Sequence, residues 1–161
     1  MSPIPLPEVA GPNELLGRLL LNYQEDHPRG SALDDTLPQQ YVRTRRHLRL
    51  ADRLIWTGLG RLPDVRRDLP SIAVEFVSGT GPRAQQFYYA DKREEYLAVG
   101  IREYWIFDRF RHTLTVVQNR PGGPRERVLG EGQTYRSPLL PGFQVPVGRL
   151  LAAANRRARK T

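Results

Sequence analysis

SIAVEFV (71–77) is apolar at nearly every position, the pattern of a central strand covered on both faces, and only Glu75 interrupts it. The turn SGTGP (78–82) follows, and from Gln85 to Val99 apolar residues recur at helical spacing until Gly100, a residue type common just past a helix end. YWIF (104–107) makes a further core strand, and LTVV (114–117) comes after the short DRFRH link, so that pair reads as an antiparallel hairpin. A helix linking two buried strands implies a mixed central sheet flanked by helices, α/β or α+β in class.

Outward from this centre, a first amphipathic helix opens at Asn13, a good N-cap type, and carries Leu15, Leu16, Leu19, Leu20 and Tyr23 at helical spacing as far as Glu25. HPRGSALDDTLP (27–38) breaks it. YVRTRRHLRL (41–50) then alternates, with Arg43, Arg45, His47 and Arg49 opposite Leu48 and Leu50, a strand with one basic face. RLIWT (53–57) is a second extended piece, followed by loop to Asp68. Beyond the core, RPGGP turns a second hairpin before RERVLG, the stretch 138–146 is irregular and proline-rich, and Val147 to Lys160 forms a short basic helix. The 161 residues suit one domain, with 1–12 and 152–161 expected as flexible tails.

No cysteine is present, which excludes disulfides, thiolate metal sites and a cysteine nucleophile. His27, His47 and His112 lack helical zinc-site spacing, so hard oxygen ligation of Mg²⁺ or Mn²⁺ is the expected metal chemistry. The net charge of +8 comes mostly from arginine, suited to phosphate contacts, and it fits a polyanionic partner or a merely solubilising surface. No apolar run is long enough to cross a membrane, and the first residues show no secretory pattern, so a cytoplasmic protein is the expectation.

Three residues carry the chemical reading. Glu75 needs a partner inside its apolar strand, either an arginine in a buried ion pair or a cation that it ligates. Asp52, at or near the start of an extended segment, is either a local cap or a second ligand meeting Glu75 across neighbouring strands, with the Phe76 carbonyl as a third donor. Lys92 shares a helical stripe with Tyr89, Tyr96 and Val99; its stem either carries the ammonium out to solvent or sets it over the two acids. Elsewhere, GLGR and SGTGP lack phosphate-loop spacing, Ser78 fits no nucleophile elbow, Tyr104 and Trp105 read as core, and Asp108 reads as a turn cap.

The stretch AVEFVS (73–78) followed by DKREEYLAVGIREYWIFDRFRHTLTVV (91–117) resembles the Uma endonuclease family, formerly a domain of unknown function, in the PD…(D/E)xK restriction-endonuclease-like superfamily. The shared pattern falls on Glu75, Ser78, Lys92, Tyr96, Gly100, Ile101, Glu103, Tyr104, Trp105 and Asp108. The resemblance implies a restriction-endonuclease-like fold and a Mg²⁺- or Mn²⁺-dependent nuclease acting on DNA. Asp52, Glu75 and Lys92 would be its catalytic set, and the metal would sit on Asp52, Glu75 and the Phe76 carbonyl. Arg43, Arg45, Arg46, His47 and Arg49 would hold the DNA backbone, and a homodimer is expected by analogy. Three positions depart from the pattern: Val77 stands where the superfamily has its lysine, Ala51 where a proline precedes the aspartate, and Ser71 where many relatives carry an acid. An acid from the first helix often assists, for which Glu14 and Glu25 are the candidates.

Overall fold

The computed structural model describes residues 4–158. Strands β1 (Leu33–Arg43), β2 (Leu48–Thr57), β3 (Ile72–Phe76), β4 (Glu103–Asp108), β5 (Thr113–Gln118) and β6 (Arg125–Gly130) form one sheet in that order. All neighbours are antiparallel except β3 and β4, which run parallel. The parallel pair requires a crossover. It is made by α2 (Pro82–Gln86), a π turn (Phe87–Asp91) and α3 (Lys92–Ala98). Gly100, at φ +98°, ends it as the sequence implies.

Alternation along the strands splits the core between the two faces of the sheet. Ile55, Ile72, Val74, Phe76 and Trp105 pack with α1 (Pro7–Asp26) and α4 (Val147–Ala158). Leu54, Trp56, Ala73, Tyr104 and Ile106 pack on the crossover side with Tyr88 and Tyr96. The continuous apolar reading of 71–77 therefore reports a strand covered on both sides, and the mixed α/β class holds. The short pair β7 (Thr134–Tyr135) and β8 (Val145–Pro146) closes the remaining edge of the first core. No described helix is long and apolar enough to cross a membrane.

The structure corrects several boundaries. Helix α1 starts at Pro7, not Asn13: proline suits a first helical turn, and burial of Val9 and Leu16 carries the helix through Pro12 despite the hydrogen bond lost there. Residues 7–12 and 152–158, expected as tails, are thus parts of packed helices, with Ala153 and Ala154 buried. Residues 4–6 precede the helix without regular structure, while residues 1–3 and 159–161, with the end of the last helix at Lys160, lie outside the described residues. The chain from Leu33 to Arg43, read as a break until Tyr41, is a full strand. Its Pro38 and two aspartates are poor strand formers, but β1 lies at the sheet edge, where a missing N–H costs little. The expected basic strand is instead two strands and a turn, with Thr44 N–H donating to the His47 carbonyl at 2.8 Å.

Candidate active site

The β2–β3 ladder pairs Ile55 with Ile72, Leu54 with Ala73 and Arg53 with Val74. One further step sets Asp52 opposite Glu75 on the crossover face. The ladder stops there because the Asp52 side chain takes over a backbone partner: its Oδ2 accepts the Phe76 N–H at 2.7 Å. In extended backbone a residue's N–H and C=O turn to the same side, so the Phe76 carbonyl also faces this fork. Asp52 therefore lies within β2, between Leu48 and Thr57, and not at the start of a strand or as a loop cap. Gln39 Nε2 donates to its Oδ1 at 3.3 Å, and Asn13 Nδ2 donates to its backbone carbonyl at 2.6 Å.

Glu75 is 1% exposed and Lys92 is 4% exposed, so neither side chain reaches bulk water by itself. Lys92 Nζ donates to Glu75 Oε1 at 2.7 Å and to the Leu50 carbonyl at 3.0 Å. The Tyr96 hydroxyl donates to the same Glu75 oxygen at 3.0 Å. The Lys92 ammonium also lies 4.6 Å from the centre of the Phe87 ring. The ion pair foreseen for Glu75 is thus made with Lys92 and not with an arginine, and Lys92 does not extend to the surface. Its helical stripe differs from the expected one. The π turn adds a residue, so Tyr88 joins Lys92 and Tyr96 in the interior, while Tyr89 turns to Asp108 with a 2.6 Å hydrogen bond.

Burial, followed by the charge of Asp52, pushes the Glu75 carboxyl up to about 8 against the opposing pull of Lys92 and Tyr96. Burial also raises Asp52, which is relieved in part by the Phe76 N–H, by Lys92 and by a hydrogen bond with Glu75. A 2.7 Å ammonium contact favours an ionised Glu75, whereas desolvation and the neighbouring acid favour a protonated one. Two acids side by side in a dry site each make ionisation of the other more costly, and the Lys92 ammonium offsets only part of that cost. Such a pair suits a hard divalent cation: two carboxylates plus the Phe76 carbonyl are oxygen donors, and the cation would remove the like-charge penalty. Among the described residues no group of three histidine or acidic side chains gathers for a metal, so water or substrate oxygens would complete the shell.

The remaining sequence candidates separate. Glu14 and Glu25 are both exposed, and the α1 residue touching the Asp52 backbone is Asn13. Ser71 accepts the Thr57 N–H at 3.0 Å at the other end of β3, roughly 13 Å along the strand from Glu75, so an acid there would not reach the pair. Val77 is buried in the crossover-side core. Asp108 does cap its turn, accepting the Phe110 and Arg111 N–H groups at 3.0 Å.

Arg43, Arg45 and Arg46 are exposed on the β1–β2 hairpin, but His47 and Arg49 are engaged. His47 Nδ1 lies 2.7 Å from Glu95, and Arg49 Nε donates to it at 2.8 Å. Thr44 Oγ1 donates to it at 2.8 Å. Burial would raise the Glu95 carboxyl, yet the hydrogen bonds from Arg49, His47 and Thr44 prevail and hold it at about 2. Sequence reasoning missed Glu95. Its signal was the spacing of three from Lys92, which puts it on the inner face of the same helix.

The family model for Uma2, described as "Putative restriction endonuclease", matches residues 1–148. Among solved structures, a crystal structure described as "a putative nuclease belonging to DUF820 from Anabaena variabilis ATCC 29413" superposes with a TM-score of 0.69 at 10% identity. The match covers 96% of this chain and 86% of that one, and at this identity it speaks for the fold. No curated protein matches the chain.

Proposed function

Because the chain belongs to the Uma2 family of restriction-endonuclease relatives, we propose that it is a divalent-metal-dependent endonuclease that hydrolyses DNA phosphodiester bonds. The observation that carries this reading is the meeting of Asp52, Glu75 and Lys92 at one fork between β2 and β3. Asp52, Glu75 and the Phe76 carbonyl would hold Mg²⁺ or Mn²⁺, and any proton on either acid would leave as the ion binds. The ion supplies a polarised phosphate oxygen and a bound water of lowered pKa.

The chain's own residues do the rest. Lys92 donates to Glu75 and to the Leu50 carbonyl, and its remaining N–H would orient the attacking water and offset charge on the pentacovalent phosphate. Tyr96 and Lys92 both donate to Glu75 Oε1, which would leave Oε2 for the cation. Arg43, Arg45 and Arg46 contact the DNA backbone from the hairpin, which Glu95 fastens to α3 through His47 and Arg49.

One observation favours a second reading, a nuclease-fold module that binds DNA without cutting it: the α1 residue nearest Asp52 is the neutral Asn13. Plasmid DNA decides between the two. Cleavage that requires Mg²⁺ or Mn²⁺, stops with a chelator and is lost in folded Glu75→Gln and Lys92→Ala variants is the expected result. Salt-sensitive binding with no hydrolysis under any metal supports the module instead.

A further inference from the structure

Beside the acid pair, Arg83, Gln86, Phe87, Tyr88 and Asp91 border a hollow of about 560 Å³. It adjoins the site through two shared rings: the Lys92 ammonium lies 4.6 Å from the centre of Phe87 and 5.7 Å from that of Tyr88. Ser78, three residues beyond Glu75, reaches the Tyr88 hydroxyl at 3.0 Å and ties the hollow to the end of β3. These rings stand where they do because of the π turn, a helical irregularity frequent at functional sites.

Three kinds of group meet here. Half-buried Phe87, flanked by the Arg49 and Lys92 cations at 5.5 and 4.6 Å, gives an aromatic wall, Arg83 an exposed cation, and the rim joins the Gln86 amide to the Asp91 carboxylate at 2.8 Å. A phosphate alone would be repelled by Asp91. A purely apolar ligand would leave the rim unused. A nucleobase uses all three, with its face on a ring, its amino edge on Asp91 and its phosphate on Arg83.

We propose that this hollow takes an unpaired base of single-stranded DNA, from the nucleotide next to the phosphate addressed by Asp52, Glu75 and Lys92. The assignment rests on the nuclease reading above, and it makes single-stranded or locally opened DNA the preferred substrate over intact duplex.

Binding can be read with metal chelated, so that no cleavage is needed, using a short oligodeoxynucleotide carrying 2-aminopurine, alone and annealed to its complement. The wild type should bind the single strand more tightly than the duplex and change the probe's fluorescence as the base leaves its stack. Phe87→Leu keeps apolar packing against Lys92 without the ring, and it should weaken single-strand binding about tenfold or more. Phe87→Trp should retain the binding. Tighter duplex binding by the wild type, unchanged binding in Phe87→Leu, or equal losses on both DNA forms overturns the proposal. A wild type that cuts no DNA yet shows a Phe87-dependent fluorescence change removes the nuclease reading and keeps the pocket. One that cuts DNA without such a change removes the pocket alone.

Discussion

Glu75 on β3 and Glu103 on β4 stand on neighbouring parallel strands, and both are almost wholly buried, at 1% and 2% exposure. Their surroundings differ completely. Glu103 is encircled by donors: Trp105 Nε1 at 2.9 Å and the Tyr135 hydroxyl at 2.8 Å on one oxygen, the Ser137 hydroxyl at 2.8 Å on the other. It ties the C-terminal loop to the sheet. Glu75 has its donors, Lys92 and Tyr96, on Oε1 and a second acid as neighbour. Burial of a carboxylate does not by itself mark a reactive site; what sets Glu75 apart from Glu103 is the second acid beside it.

Substitution should divide the two acids. Glu75→Gln keeps the shape of the side chain but removes the charge that would hold a cation, so metal-dependent cleavage should fall by about 10²–10³-fold or more in a folded protein. Glu103→Ala should act on stability instead. It leaves an indole N–H and two hydroxyls buried without an acceptor, a loss of about 2–4 kcal/mol in denaturant unfolding, with cleavage per folded molecule retained. Were Glu103→Ala to abolish cleavage while remaining folded, or Glu75→Gln to leave it intact, the contrast would fail.

The pH response sharpens the same contrast. With the Glu75 carboxyl raised from 4.5 to about 8, the unfolded chain releases its proton first as pH rises, so metal-free protein should lose stability across that interval and level off above it. The raised Asp52 adds in the same direction. Glu95, lowered from 4.5 to about 2, works the opposite way: its stabilisation is present above the ordinary carboxylate range and is lost as pH falls toward 2. Mn²⁺ should raise the melting temperature more at the alkaline end, where no proton competes, by roughly 2.7 kcal/mol of stabilisation at a hundredfold excess over Kd. Thermal melts of wild type and Glu75→Gln across pH test this; an equal metal shift in both would remove the cation from Glu75.

How much of this was legible beforehand depended on whether a signal was local. SIAVEFV announced a strand covered on both faces, and Gly100 announced the end of the crossover helix, because each is written in consecutive residues. Glu75 stood out for the same reason. The partners of Glu75 were harder to see, since Lys92 reaches it only by the helix folding back across the sheet, and the π turn shifted the phase that helical counting assumed. β1 was hidden by residues that only an edge strand tolerates. Glu103, one of the positions shared with the family pattern, is a structural carboxylate, whose acceptor role depends on Tyr135 and Ser137 far along the chain. Glu95 went unseen because its donors lie on the β1–β2 hairpin, whose turn was read as continuous strand.

The smallest expected effect separates arginines as the two glutamates were separated, by what already surrounds them. Arg43, Arg45 and Arg46 are exposed on the hairpin, whereas Arg49 is held by Glu95. A guanidinium that meets a phosphate displaces a counterion, so each of Arg43→Ala, Arg45→Ala and Arg46→Ala should weaken DNA binding evenly across sequences and reduce the salt slope by about one. Arg49→Ala should instead loosen the hairpin, because Glu95 loses its strongest donor while the chain loses little phosphate contact. Its salt slope should stay near that of the wild type while its melting temperature falls. Titrations over a range of ionic strength, read beside thermal melts, would show the division, and a full unit lost from the slope in Arg49→Ala would return that residue to the DNA interface.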